Sequence, residues 1–147
     1  MKHVSKNLKD TENIARDVVK QLLKKNPNIK AQVVGLYGDL GAGKTAFTQA
    51  LAKELNIKDK IVSPTFVIMK KFSIPEGKHK ILIHIDAYRL KKGEELEKLG
   101  WADIISDPNN LVLIDWPELV ADIMPKRHLN IKIKHIDEKT REFDVCV

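Results

Sequence analysis

An α/β fold with a central, mostly parallel sheet flanked by helices is predicted from three features of the sequence. Short apolar strand patterns alternate with amphipathic helix patterns along the chain. A glycine-bearing loop joins an apolar strand at residues 31–37 to a helix pattern at 44–55. Alternating residues at 129–136 and a strand pattern at 142–147 predict antiparallel strands at the C-terminal end. The length suits a single domain over residues 1–147.

The other elements are predicted from periodicity and turn signals. Residues 11–25 have the apolar spacing of an amphipathic helix, with Thr11 or Asp10 as its cap and Pro27 soon after its end. Further predicted elements are a short strand near 61–62, a loop at 63–65, a hairpin over 66–86, a short helix at 93–100, a strand at 111–115 and a helix over 117–124.

The charge is unevenly distributed along the chain. The net charge is +6, yet residues 81–123 hold nine acidic and four basic residues. The chain can therefore present a basic surface beside an acidic one. Nucleic-acid binding is one interpretation, but no arginine-rich run supports it, and lysine used for solubility is the simpler one.

The sequence favours a cytoplasmic protein without a membrane segment. No apolar run approaches the length that crosses a bilayer, about 18 residues. The first residues lack the apolar core of a signal peptide. Cys146 is the only cysteine, so an intrachain disulfide is excluded, which suits a reducing compartment.

The most informative motif is Gly38-Asp39-Leu40-Gly41-Ala42-Gly43-Lys44-Thr45, which fits the P-loop pattern G-x-x-x-x-G-K-[ST]. The glycines let backbone N–H groups converge on phosphate oxygens, and the helix that follows points its positive end at the same anion. Lys44 is expected to reach the β- and γ-phosphates, and the Thr45 hydroxyl to hold Mg²⁺. A nucleoside triphosphate and Mg²⁺ are therefore the expected ligands, within a P-loop NTPase fold.

Two apolar strands end in an acid that can complete the metal site. Residues 81–86 end in Asp86, and residues 111–115 end in Asp115. The carboxyl ends of parallel strands form the edge where ligands bind. Spacing alone does not rank the two acids, so both are candidate metal ligands and catalytic residues. Glu118 can polarise a water molecule, or it can simply complement the helix dipole.

In this order, the motifs GDLGAGKT, SPTF, HIDAYRL and LVLIDWPE resemble the TsaE (formerly YjeE) family, the small bacterial ATPases of tRNA threonylcarbamoyladenosine synthesis. The resemblance runs from about Thr11 to Arg141. It implies that ATP lies on Asp39 to Thr45 and that Thr11 and Arg141 contact the nucleotide. The implied cofactor-binding residues are Thr11, Asp39, Leu40, Gly41, Ala42, Gly43, Lys44, Thr45 and Arg141.

The resemblance also implies roles for the acids and for two further segments. Thr45 and Asp115 correspond to the Mg²⁺ ligands, and Asp86 to a second essential acid. The family commonly has Glu at the position of Asp115, so either the shorter strand end lies closer to the metal or a water bridges the gap. Trp116 either stacks on a partner or braces the metal acid. Ser63 and Thr65 correspond to a switch-like loop.

Partners are implied as well. Family members associate with the TsaB–TsaD pair, and ATP hydrolysis is thought to reset that complex, so tRNA is contacted only indirectly. Two alternatives stay open: a small-molecule P-loop kinase and a nucleic-acid binding module. Lys132 and Lys134, on a strand expected at the edge of the sheet, predict a monomer when the chain is free.

Overall fold

The protein is built on a seven-stranded sheet with helices on both faces, and the computed structural model describes residues 1–24, 29–39, 41–61 and 68–147. In chain order the elements are β1 (Lys2–Ser5), α1 (Leu8–Lys24), β2 (Gln32–Tyr37), α2 (Lys44–Glu54), β3 (Met69–Ser73), β4 (Ile81–Asp86), α3 (Gly93–Glu97), α4 (Trp101–Ser106), β5 (Asn110–Asp115), a 3₁₀ helix (Pro117–Ile123), β6 (Leu129–His135) and β7 (Arg141–Cys146).

The strand order is β1-β7-β6-β2-β5-β4-β3. The four central strands, β6, β2, β5 and β4, are parallel to one another. Antiparallel strands flank them, with β7 and β1 on one side and β3 on the other. The predicted parallel centre, the hairpin and the C-terminal antiparallel pair are therefore confirmed. The carboxyl ends of β2, β4 and β5 meet at one edge of the sheet.

Each face of the sheet buries its own apolar cluster, as the alternation along its strands requires. Leu36, Leu82 and Leu113 point to one face, where they pack with Phe47 of α2 and with the apolar side of α1. Ile83, Ile85, Val112 and Ile114 point to the other, which α3, α4 and the 3₁₀ helix cover. Helix α2, which follows the P-loop, and the acids that end β4 and β5 are therefore all held in place by the same sheet.

Three sequence predictions about elements need correction. Residues Lys2–Ser5 form a strand, β1, where only a lead into the first helix was expected. Helix α1 starts at Leu8 and is capped by Asn7, whose Oδ1 accepts a hydrogen bond from the Asp10 amide at 2.8 Å. The short helix predicted over 93–100 forms as α3, but the second short helix that follows Gly100 (φ +93°), α4, was not predicted.

The edge-strand argument for a monomer is also wrong. Strand β6, which carries Lys132 and Lys134, lies between β2 and β7 inside the sheet. The true edge strands are β1 and β3. The monomer itself stays a prediction.

The helix predicted over 117–124 is a 3₁₀ helix with Pro117 at its start.

Some predictions fall wholly or partly beyond the described ranges. These are the loop at 63–65, Pro27, and the first residues of the hairpin over 66–86. Ile61 is described and belongs to no strand, and Val62 lies outside the described residues. In the part of the chain that the structure describes, no helix has the length and apolar character needed to cross a membrane.

Candidate functional site

The site begins with the loop that joins β2 to α2. Gly41 (φ +79°) and Gly43 (φ +109°) take backbone conformations that L side chains rarely adopt. The amide of Ala42 donates a hydrogen bond to the carbonyl of Asp39 at 3.0 Å, which tightens the turn. Gly43 stands at the N-cap of α2, so the loop delivers the chain directly into the positive end of that helix. Leu40 lies outside the described residues.

Lys44, the first residue of α2, is almost fully buried, with 7% of its surface exposed. Its Nζ donates a hydrogen bond to the carbonyl of Gly38 at 2.6 Å. Burial lowers the pKa of Lys44, and the carboxylates of Asp115, Glu118 and Asp86, in order of decreasing effect, oppose that shift. A cation kept out of water beside several carboxylates is a ready binding group for an anion such as phosphate.

Trp116 covers the same ammonium. The Lys44 Nζ lies 3.6 Å from the centroid of a Trp116 ring, a cation–π contact. The Trp116 backbone is left-handed (φ +60°), and its ring packs on Tyr88 with centroids 5.2 Å apart. Of the two roles considered from sequence, stacking on a partner and bracing the metal acid, neither includes this contact. The Trp116 ring instead packs over the Lys44 ammonium.

Asp86 and Asp115 are brought side by side. They are register partners at the carboxyl ends of the adjacent parallel strands β4 and β5. Their surroundings differ: Asp86 is half-buried, and its Oδ1 accepts a hydrogen bond from the Tyr88 amide at 3.0 Å. Asp115 is 5% exposed, and its Oδ1 has no hydrogen-bond partner among the described residues. Burial and an unpaired oxygen thus distinguish the two acids, which spacing alone did not.

The donor set at this edge fits Mg²⁺ better than a metal that needs a full protein cage. Within residues 1–24, 29–39, 41–61 and 68–147, no three His, Cys, Asp or Glu side chains are grouped to hold a metal by themselves. Mg²⁺ usually takes one or two carboxylates and fills its other positions with water and phosphate oxygens. Thr45, half-buried in the first turn of α2, and the carboxylate of Asp115 are suitable oxygen donors.

Thr11 and Arg141, 130 positions apart in the sequence, meet beside the loop. Both line a pocket of about 210 Å³ together with Gly43. The Thr11 hydroxyl lies 2.7 Å from the Ser5 hydroxyl, and Arg141 Nη1 donates to the carbonyl of Asp137 at 2.9 Å. A Cβ placed on Gly43 would lie 3.7 Å from Arg141 Nε. The two residues assigned by resemblance are therefore neighbours of the loop.

A family model described as "Threonylcarbamoyl adenosine biosynthesis protein TsaE" matches residues 5–143.

The chain belongs to the TsaE family.

Named TsaE relatives support the same membership. The tRNA threonylcarbamoyladenosine biosynthesis protein TsaE of Rickettsia prowazekii is 33% identical over 140 residues, which are 95% of this chain and 90% of that protein. The Bacillus subtilis protein of the same name is 37% identical over 113 residues, covering 75% of this chain and 66% of its own. The resemblance drawn from the four motifs is confirmed.

The fold is shared with a solved structure. The crystal structure of Bacillus subtilis YdiB superposes with a TM-score of 0.71 at 29% identity, covering 97% of this chain and 82% of that one. The prediction of an α/β fold of the P-loop NTPase kind is thereby confirmed.

A second pocket, larger at about 390 Å³, lies at the other end of α2, so pocket size does not identify the site in this TsaE-family chain.

Two residues near the site were missed by the sequence reasoning. Ser5 reaches Thr11 only because residues Lys2–Ser5 form an unexpected strand. His84 was given no role at the site, and its Nε2 lies 3.5 Å from Asp115 Oδ1. The signal for His84 was its position two residues before Asp86, which puts both side chains on one face of the strand. Ser63 and Thr65 lie outside the described residues.

Proposed function

We propose that this TsaE-family chain binds and hydrolyses ATP with Mg²⁺, weakly when alone. In this proposal it is a cytoplasmic accessory protein of the complex that forms threonylcarbamoyladenosine at position 37 of tRNA, where hydrolysis resets a TsaB–TsaD pair. The names of its relatives supply the process. The observation that carries the biochemical part is the buried Lys44 ammonium, at the end of a P-loop and beside the acids that end β4 and β5.

The chain's own groups suffice to hold a triphosphate. Backbone amides of the loop and of the first turn of α2 are the donors that bind phosphate oxygens at such helix ends. Lys44 exchanges its bond with the Gly38 carbonyl for phosphate oxygens, which carry more negative charge. Because the ammonium is already desolvated, this exchange costs less than binding by a solvent-exposed lysine.

The metal would be held by Thr45 with Asp115 and Asp86, directly or through water. When bound, Mg²⁺ supplies positive charge to the β- and γ-phosphate oxygens. The pocket lined by Thr11, Gly43 and Arg141 is then the space for the rest of the nucleotide.

A thermal-shift experiment tests the binding step. ATP plus Mg²⁺ should raise the melting temperature of the parent protein, because a ligand that binds only the folded state stabilises it. Lys44→Ala should abolish that rise. Lys53→Ala is the matched control, since this lysine lies in the same helix but is exposed and paired with Glu12. An unchanged shift in Lys44→Ala would refute the phosphate site.

A second experiment tests the biological assignment. Purified TsaB and TsaD are titrated into the protein while ATP hydrolysis is followed. We expect hydrolysis to rise in step with complex formation and to require Lys44. Phosphate transfer to a nucleoside or sugar acceptor, without TsaB and TsaD, would favour a small-molecule kinase instead. Tight tRNA binding by the chain alone, weakening steeply with salt, would favour a nucleic-acid binding module.

A further inference from the structure

His84 and Asp115 form a buried polar pair at the candidate site. His84 is 1% exposed and Asp115 is 5% exposed. The His84 Nε2 and Asp115 Oδ1 atoms are 3.5 Å apart, slightly too far for a well-formed hydrogen bond. Neither atom has another hydrogen-bond partner in the described part of the chain. Each is thus the nearest available partner of the other.

The sheet places these two side chains together by register. Asp86 is paired with Asp115 and His84 with Leu113, so His84 is the diagonal neighbour of Asp115 across β4 and β5. Diagonal pairs on one face of a sheet are within reach of long side chains. The alternation along β4 turns Leu82, His84 and Asp86 to the face that α1 and α2 cover. The register of β4 and β5 therefore places the His84 side chain next to Asp115.

An apolar residue would have been the simpler choice for this position. A buried polar group left without a hydrogen bond costs about 1–3 kcal/mol, and the neighbouring positions on the same face are filled by Leu82 and Leu113. This loss of stability is explained if the His84 ring orients the Asp115 carboxylate. Carboxylates that bind metals are themselves held by hydrogen bonds from outside the metal's own shell.

We propose that His84 is a positioning residue for Asp115. The ring donates the Nε2 hydrogen to Asp115 Oδ1, which orients the carboxylate so that its other oxygen would be available to Mg²⁺. His84 therefore contributes to metal-dependent nucleotide affinity without touching metal or nucleotide. This inference rests on the proposed function, since it assigns a residue to the same metal site.

Two substitutions separate positioning from packing. His84→Gln keeps an N–H donor on a side chain of similar reach, whereas His84→Leu keeps bulk and removes the donor. His79→Leu is the matched control: His79 is also buried, at 3% exposure, and its Nε2 has no hydrogen-bond partner among the described residues, but it is placed in the turn before β4. ATP affinity is measured by calorimetry for each variant, with Mg²⁺ and with EDTA.

In His84→Leu we expect the gain in ATP affinity from Mg²⁺ to fall by about 10- to 100-fold, the usual effect of losing such a supporting partner. Affinity in EDTA should stay at the parent value. His84→Gln should recover most of the gain, and His79→Leu should keep all of it. A Mg²⁺-dependent gain that survives in His84→Leu would overturn the proposal. Absence of ATP binding by the parent protein would instead overturn the proposed function.

A measurement on the parent protein covers the case in which His84→Leu does not fold. Nitrogen-15 spectra of the imidazole rings report which ring nitrogen carries hydrogen, with no metal or nucleotide present. The proposal requires a hydrogen on Nε2 of His84. A ring protonated only on Nδ1 would overturn it, because Nε2 would then face the carboxylate with a lone pair.

Discussion

Lys44 shows how single residues define the site. Its ammonium lies between the Gly38 carbonyl, at 2.6 Å, and the Trp116 ring, at 3.6 Å. The P-loop pattern was sufficient to select Lys44, because the motif states its own chemistry. The contact with Trp116 was not predictable, since it depends on a left-handed residue directly after β5. The local sequence therefore predicted which residues bind the nucleotide, but it did not predict the contacts that hold Lys44 in place.

The glycine that starts α2 gives the first prediction at this scale. Gly43→Ala should lower the free energy of unfolding by about 1–2 kcal/mol, because an L side chain is strained at positive φ, and it should also abolish stabilisation by ATP and Mg²⁺. Gly77→Ala is the control, since Gly77 has nearly the same φ (+111° against +109°) and an added Cβ would have no atom of the described residues within 4 Å. It should lose similar stability and keep the full ligand response. Equal ligand responses would contradict the role of Gly43.

His79 gives a prediction about pH. Burial, and to a smaller extent Lys78, lowers the pKa of His79 to about 4, below the value of about 6.5 for an unfolded chain. Between these two values the unfolded state binds more protons, so acid favours unfolding. From pH 7.5 to pH 5 the free energy of unfolding should fall by about 2 kcal/mol on account of this residue.

Urea denaturation at both pH values tests this, with His79→Leu as the comparison. The variant lacks the buried imidazole, so its loss of stability on acidification should be smaller by that amount. Parallel pH dependences of the two proteins would show that His79 is not responsible.

At the scale of elements, periodicity succeeded where a helix or strand has its own pattern. The spacing in the first long helix, the apolar run of β5 and the alternation of β6 each predicted the element that forms. Strand β1 was missed because four residues, mostly polar, have no pattern, and the strand exists only through pairing with β7 at the far end of the chain. Helix α4 was missed because its six residues, Trp101–Ser106, are too few to show a helical spacing.

The contact between α3 and the 3₁₀ helix gives a prediction at this scale. A Cβ on Gly93 would lie 2.5 Å from two carbon atoms of Ile123, so Gly93→Ala should destabilise the protein by about 1–3 kcal/mol through overpacking. Ile123→Ala removes these two carbon atoms and leaves Asp122 Oδ1, at 2.8 Å, as the remaining close contact. The double variant should therefore be less destabilised than the sum of the two single variants.

Thermal or urea unfolding is measured for the parent protein, the two single variants and the double variant. Gly100→Ala should show no coupling to Ile123→Ala, because in the described part of the chain no atom lies within 4 Å of a Cβ added at Gly100. Strict additivity of Gly93→Ala and Ile123→Ala would mean that the two elements do not pack as described.

The whole molecule joins sites that the sequence keeps far apart. Residues near both ends of the chain, Thr11 and Arg141, meet the central loop only because β7 folds back beside β1 and β6. Family resemblance had indicated this pairing, whereas composition and spacing had not. The edge strands carry lysines, Lys2 on β1 and Lys70 and Lys71 on β3. Edge lysines discourage pairing between copies, so the predicted monomer keeps a physical basis on different strands.

The central claim is that a nucleoside triphosphate binds against the loop that opens α2, with a metal between Thr45 and the acids of β4 and β5. Backbone amide spectra of the nitrogen-15-labelled protein, recorded during titration with ATP in Mg²⁺ and again in EDTA, test it most directly. We predict the largest shift changes at Gly41, Gly43, Lys44 and Thr45, with changes at Asp86 and Asp115 only when Mg²⁺ is present. Changes centred on the larger pocket around Ala52, Asn56 and Lys60, with the loop amides unmoved, would contradict the account.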